Sequence, residues 1–543
     1  MKRCLFLLTV LAWAACACAN PLWPEMQPVP EFDGDYTAWS CPIGGAFNRA
    51  VPPAQERLGW PSSVTCYAGE PCGVIVGFYS LTDGGMIRLS AEDSPFTIRV
   101  GVVTFQGRRV PPRPDEGRYL GIPLYVPERQ EAELRAGENT VYWLTINPPV
   151  DISPGSYGVG LRFERQDVDR TYHGDEGDRA LARHRYGGQA DVLALRVNVL
   201  PPPPESQRAF GVYYNGGRFP PEFNTPEWEA RFMRDMAEHG HTSAFYGSWA
   251  KDLGFNKTGK VALDGSELAR RTQVRLDAGL IRPDVPVLLI GHSAGDYGGE
   301  YVAFATALKE AWGAKGWPEI VLYGPDEPGI KQLEPWPQLK AVRSVLRTGT
   351  ALPHASRETG AYFDVWILDA RDTTDDVIAL GRDMDAELWT YSCIHRGTNA
   401  AWHRFYAGLY TWAHGFRGNW LWAYTHTPDC RWEGDRTDHR GMVSISKSGP
   451  VPMVGWEARR EGIMDCRVLT HLEAHADAGA AAWLAGLRAR VPVRCDVDAD
   501  DRPTLNASPY YWDGMDLYPP PFTGEEMESI RRRAESYIGE LTR

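Results

Sequence analysis

The chain has 543 residues, 43% hydrophobic and 23% charged, the balance of a globular protein too long for one core. Its net charge of −13 excludes the basic footprint of a nucleic-acid binder, so no nucleic acid is expected as a partner. It carries 20 tryptophans, whose flat faces suit sugar rings as well as packed cores.

Met1-Lys2-Arg3 is basic, residues 4–14 are apolar but too short to span a bilayer, and Ala17-Cys18-Ala19 is a small-x-small cleavage site. Residues 1–19 therefore read as a signal peptide, and the expected location is secreted or periplasmic in a bacterium. A lipoprotein anchored at Cys16 or Cys18 is the alternative. No other stretch is apolar enough for a membrane span. After cleavage Cys41, Cys66, Cys72, Cys393, Cys430, Cys466 and Cys495 remain. Export permits disulfides. Cys66 and Cys72 bracket a turn and invite a local bridge, while the odd count leaves a thiol free. No Cys/His spacing indicates zinc, so no metal and no cofactor are expected.

Residues 20–59 form a Pro- and aromatic-rich lead-in. Residues 60–200 carry short alternating β segments, such as Val141-Tyr142-Trp143-Leu144, separated by Gly, Pro and Asp, which predicts an all-β sandwich. A charged insertion at 166–189 reads as a surface loop. Pro201-Pro202-Pro203-Pro204 stiffens the linker 201–208. The rhythm then becomes strand–helix. Strands are predicted at 210–214, 241–246, 285–290, 320–323, 352–356, 363–368, 387–392 and 419–424. Helices are predicted at 226–239, 266–278, 301–314, 337–346, 374–384, 400–413 and 455–475. Eight units make an α/β (β/α)8 TIM barrel, assigned to 209–480, with a C-terminal extension 481–543 whose helix at 525–541 packs outside. The chain is thus expected to be multidomain.

A (β/α)8 barrel carries its chemistry at the C-terminal ends of its strands. Strand four ends there in Tyr323-Gly324-Pro325-Asp326-Glu327-Pro328. Other strand ends supply Tyr213, Tyr214 and Asn215, then Tyr246, then Asp369, then Trp389, Tyr391 and His395, then Trp420, Trp422, Tyr424 and His426. Tyr214, Tyr323, Asp369, Trp389, Tyr391, Trp422 and Tyr424 are the candidate substrate-binding residues, and Asp326 and Glu327 the catalytic pair. Rings that stack on C–H faces and acids that take hydroxyl or amide protons suit a carbohydrate. Glycoside cleavage needs one protonated carboxyl and one negative charge near the anomeric carbon, and adjacent acids push their pKa values apart. Successive strand residues point to opposite faces, so both acids reach one pocket only if the backbone leaves strand geometry between Pro325 and Pro328. They are also too close to flank a bond as nucleophile and acid. This favours a substrate whose 2-acetamido oxygen is the nucleophile, with Asp orienting the amide and Glu as acid then base.

The Tyr-Gly-Pro-Asp-Glu-Pro run at 323–328 resembles glycoside hydrolase family 123, the β-N-acetylgalactosaminidases and their glycoside-hydrolase-like relatives. So do Leu388-Trp389-Thr390-Tyr391-Ser392-Cys393, Gly415-Phe416-Arg417-Gly418-Asn419-Trp420-Leu421-Trp422 and Gly455-Trp456-Glu457-Ala458-Arg459-Arg460-Glu461-Gly462-Ile463-Met464-Asp465. The resemblance spans roughly 60–475. It implies a carbohydrate substrate, Asp326 as stabiliser of the acetamido group, Glu327 as acid/base, Tyr391 or a neighbouring strand-end Tyr on the acetamido carbonyl, and a structural ion pair at Arg460-Glu461. The sequence leaves sugar, linkage and oligomeric state open.

Three rival signals remain. Gly291-His292-Ser293-Ala294-Gly295 matches a nucleophile elbow, but Asp296-Tyr297-Gly298-Gly299 intervenes before the helix that should begin at Ser293. His471 and His475, four apart, lack the H-E-x-x-H pattern. Asp496, Asp498, Asp500 and Asp501 open like a calcium loop without its Gly or final acid. The expected function is an exported glycosidase acting on a β-linked 2-acetamido sugar. A glycan-binding scaffold that has lost activity and a serine hydrolase are the alternatives.

Overall fold

The computed structural model describes residues 36–61, 63–81, 85–109, 119–167, 185–214, 219–246, 253, 259–290, 300–333, 337–370, 373–392, 397–425, 441–494 and 520–541. The expected signal, most of the 166–189 insertion, Asn215, Ser293 and its loop, His395, His426 and Asp496–Asp501 lie outside the described residues.

Among the described residues eleven strands precede the proline run: β1 (Tyr36–Cys41), β2 (Ser63–Tyr67), β3 (Cys72–Ser80), β4 (Met86–Ala91), β5 (Thr97–Val102), β6 (Phe105–Arg109), β7 (Tyr119–Pro123), β8 (Glu131–Glu133), β9 (Asn139–Asn147), β10 (Gly155–Asp167) and β11 (Arg185–Leu200). They form a β1-β3-β9-β5 sheet, a β2-β11-β10-β4-β8 sheet and a β6-β7 ribbon, antiparallel except for β2 beside β11. Val74, Val76, Phe78, Tyr142 and Leu144 of the first sheet share one core with Val159, Leu161, Phe163 and Val197 of the second. The alternate residues Ile75, Val141 and Trp143 face the other way, against Val454 and Ala458 of a long helix, Val454–His475. Both faces of the first sheet are covered, which is why β3 and β9 read as nearly unbroken apolar runs. Cys66 and Cys72 are joined by a disulfide across the turn. Cys41 and Cys466 are free and buried.

After the proline run, among the described residues, come eight parallel strands: β12 (Ala209–Val212), β13 (Ser243–Ala244), β14 (Val287–Ile290), β15 (Ile320–Tyr323), β16 (Arg347–Ala351), β17 (Val365–Asp369), β18 (Glu387–Ser392) and β19 (Gly418–Leu421). Their order, β13-β12-β19-β18-β17-β16-β15-β14, is a nearly closed barrel whose seam lies between β13 and β14. Helices follow the strands, and side chains of Thr225, Ser266 and Thr374 each accept a backbone N–H three residues on, closing helix N-termini. Along β17, Val365 and Ile367 fill the barrel interior while Trp366 and Leu368 meet the helices.

Strand five corrects the sequence expectation. It runs over Arg347–Ala351, not 352–356. Its Arg-Thr-Gly-Thr-Ala lacks an apolar signal. Thr348 and Thr350 are buried by bonding through their hydroxyls to the Tyr362 and Pro325 carbonyls. A helix at Ala478–Arg490, capped by Asp477, and a hairpin of β20 (Val443–Ile445) and β21 (Pro450–Pro452) were not foreseen.

The Val454–His475 helix is buried on nearly all sides. Among the described residues its Glu461 takes the Gly73 N–H at 2.9 Å and the Arg531 guanidinium at 2.7 Å. Its Asp465 takes Arg404 at 2.8 Å and Arg531 at 2.5 Å. Arg531 belongs to the C-terminal helix Gly524–Leu541. Gly462 allows the backbone of Arg404 to come so close that a Cβ there would lie 2.3 Å from the Arg404 carbonyl oxygen. The Arg-Glu-Gly motif is therefore a packing joint. No helix among the described residues is long and apolar enough to cross a membrane.

Candidate active site at the barrel mouth

Side-chain parity sorts the mouth. On β12 and just past its end, Ala209 and Tyr213 look into the barrel, whereas Phe210, Val212 and Tyr214 look out to the helices. Tyr214 packs on Phe219 and Phe232 beneath the first barrel helix, Pro226–Glu238. Tyr424 also looks out, its hydroxyl donating to Asp235 of that helix at 2.8 Å. Trp389 looks in but sits a layer below the mouth with no exposed surface. It stacks on Trp420 at 6.0 Å and donates its indole N–H to Glu387 at the start of its own strand. These three do not line the mouth.

Tyr323 on β15 and Tyr391 on β18 do, as the uppermost residues of the interior cluster on their strands. Asp369 has the interior parity of Val365 and Ile367, stands in register with Tyr391, and is fully buried. Trp422, two residues past the inward Trp420, is half-buried at the end of β19. Tyr213, named at this strand end in the sequence but not among the substrate-binding candidates, joins them. Its hydroxyl lies 3.4 Å from that of Tyr323, and its ring packs at a tilt against Phe245, centroids 4.7 Å apart. Counting parity back from Ala209 and Gly211 would have found it.

The two acids converge here. After β15 the chain turns sharply, and Glu327 has φ of 47°, in the left-handed region. That departure from strand geometry lets both side chains face inward. The Thr350 hydroxyl holds the Pro325 carbonyl at 2.5 Å beneath the turn. The Tyr323 hydroxyl donates to Asp326 Oδ1 and the Tyr391 hydroxyl to Glu327 Oε1. Asp326 is exposed at the rim as a residue, yet enough protein surrounds its carboxyl that burial pushes its pKa up. The Tyr323 bond pulls it back, and the negative charge of Glu327 adds to the rise. Burial pushes the Tyr323 hydroxyl well above its usual value, so it stays a proton donor.

The chain shares its fold with a glycoside hydrolase. A family 123 glycoside hydrolase from Clostridium perfringens, described with glycolipid glycan hydrolysis, superposes with a TM-score of 0.62 at 10% identity, covering 88% of this chain and 94% of that one. A family 5, subfamily 18 glycoside hydrolase from Bifidobacterium longum subsp. infantis covers 55% of this chain and 84% of its own at 12% identity with a TM-score of 0.31. The catalytic domain of a beta-amylase from Paenibacillus polymyxa covers 40% of this chain and 93% of its own at 9% identity with a TM-score of 0.25. The last two are too distant to carry an argument. No family model and no curated protein matches the sequence.

The Ser293 segment lies outside the described residues, and the first α-helix described after it is Tyr301–Gly313. His471 and His475 lie side by side on the long helix, their ring centroids 4.8 Å apart.

Proposed function

We propose that the protein is an exported glycoside hydrolase that cleaves a β-linked 2-acetamido sugar, N-acetylgalactosaminide-like, by a retaining, substrate-assisted mechanism. It is built as a β-sandwich followed by a catalytic barrel. The observation that carries the reading is the pairing of both adjacent acids with inward tyrosines at one barrel mouth. Asp326 accepts the acetamido N–H, so that the amide oxygen attacks the anomeric carbon. Its charge then stabilises the oxazolinium. Glu327 gives its proton to the leaving oxygen and afterwards takes one from water. Tyr391 holds Glu327 in place, and Tyr323, Asp369 and Trp422 shape the sugar pocket.

Cleavage of aryl β-N-acetylgalactosaminide and glucosaminide tests this. Wild type should turn over, Glu327→Gln should lose on the order of 10²–10⁴-fold in kcat, and a thiazoline mimic of the oxazolinium should inhibit. An active enzyme indifferent to the thiazoline would rule out the mechanism. Inert wild type and variant with binding on a glycan array would make the protein a glycan-binding scaffold. Fluorophosphonate labelling abolished by Ser293→Ala would make it a serine hydrolase.

A further inference from the structure

We propose that Tyr213 and Tyr323 form a hydroxyl relay that positions Asp326, fixing which carboxylate oxygen meets the substrate; this rests on the glycosidase reading above. A tyrosine hydroxyl has one proton and two lone pairs. At Tyr323 the oxygen accepts the Ala351 backbone N–H at 3.3 Å and the Tyr213 hydroxyl proton at 3.4 Å. A backbone N–H can only donate, so the sole proton of Tyr323 is directed at Asp326 Oδ1. The polarity of the chain is set by the β16 backbone, not by a freely rotating hydroxyl.

The ring cannot drift. Tyr323 is 3% exposed, wedged edge-on against Phe245 at 5.7 Å. The turn that carries Asp326 is pinned by Thr350. Asp326 is thus held at one oxygen, and Oδ2 has no hydrogen-bond partner among the described residues. That oxygen is the one left for an amide N–H. A bond to the charged form also favours ionisation, which the role requires and which burial and Glu327 oppose. Tyr323 and Tyr213 are positioning residues. They act through Asp326, the first across a short contact and the second across a long one.

The test uses the full chain with Tyr323→Phe and Tyr213→Phe, whose rings still fill the barrel. Tyr323→Phe should lose about 10–100-fold in kcat on an aryl 2-acetamido glycoside, with KM changed by less than about threefold. Its acid limb should move to higher pH, because the lost hydrogen bond favoured the carboxylate. Tyr213→Phe should change both in the same direction but by less than about tenfold. With a 2,4-dinitrophenyl leaving group, which needs no proton, Glu327→Gln should recover most of its rate and Tyr323→Phe should not. The relay is overturned if Tyr323→Phe stays within about twofold, if it slows with an unmoved acid limb, or if the good leaving group rescues it as it rescues Glu327→Gln. A wild type inert on all glycosides would sink the glycosidase reading alone. The relay would then be read from the ¹³C titration of the Asp326 carboxyl, assigned by its loss in Asp326→Asn. An upward shift in Tyr323→Phe sustains it and an unchanged titration ends it. Should Tyr323→Phe fail to fold, the acid limb and the carboxyl titration of Tyr213→Phe decide the matter in the same way.

Discussion

Glu327 occupies a left-handed backbone conformation that costs a side-chain-bearing residue about 1 kcal/mol or more. The turn accepts this strain because it brings two acids to one mouth. Glu327→Gly and Glu327→Ala should both abolish cleavage, and, with the Tyr391 bond lost in each, the Gly variant should be about 1 kcal/mol the more stable in urea unfolding; equal midpoints would mean that the turn is not strained. The raised pKa of Asp326 makes a second expectation. Its charge is lost as pH falls through a value above the ordinary carboxylate figure of about 3.9, so the acid limb of kcat/KM, which reports the free enzyme, should lie above that figure. A limb at or below it would remove Asp326 from the mechanism. Tyr424, a sequence candidate that faces the helices, offers a contrast. Tyr424→Phe should leave KM unchanged and cost about 1 kcal/mol of stability through the lost bond to Asp235.

At the scale of elements, the Val454–His475 helix joins the barrel, the N-terminal sheets and the C-terminal helix. It passes the 400–405 segment at backbone contact through Gly462. Gly462→Ala should cost about 1–3 kcal/mol, measured by thermal or urea unfolding, whereas Ala at the open Gly486 of the next helix should not destabilise. Arg531 satisfies Glu461 and Asp465, which are both buried. Replacing it with Met leaves two buried carboxylates short of a partner, for an expected loss of about 3–5 kcal/mol. A loss below about 1 kcal/mol would show that the cluster is wet enough to dispense with it.

The largest scale has its own titratable joint. His239 ends the first barrel helix, between Asp235 and Glu238 of that helix and Glu457 and Arg460 of the long helix, with His241 beside it and Arg99 of β5 reaching Glu238. Burial alone would lower its pKa, but the carboxylates of Asp235 and Glu457 outweigh burial and raise it. A raised histidine contributes stability that is complete below its unfolded value of about 6.5 and is lost as pH rises through the folded value. His241 works in the opposite sense. Burial and Arg459 hold it neutral, so its contribution is present above about 6.5 and lost as pH falls. Comparing urea midpoints of wild type and His239→Gln between about pH 6 and 9 isolates the first effect. The gap should narrow as pH rises, and a gap that is constant or widens would contradict the charged clasp.

Composition and rhythm were enough to determine a nearly closed parallel barrel behind antiparallel sheets, because burial on a strand or a helix face imposes a period that one chain displays by itself. The strands at 320–323 and 387–392 were legible to the residue, and the acid pair at the end of the first was legible as candidate chemistry. Strand five was not, because its burial rests on hydroxyl bonds to carbonyls that only the folded neighbours supply. Nor was the division of the strand-end aromatics. Tyr213 and Tyr214, or Trp389 and Tyr391, differ in which face or layer they occupy, and one residue of register decides that. The tertiary structure alone decided that Asp326 and Glu327 turn to the same mouth. The reason is a left-handed Glu327 and the Tyr391 hydroxyl brought from β18, 64 residues away, neither of which any local pattern encodes, whereas Tyr323 is three residues from Asp326.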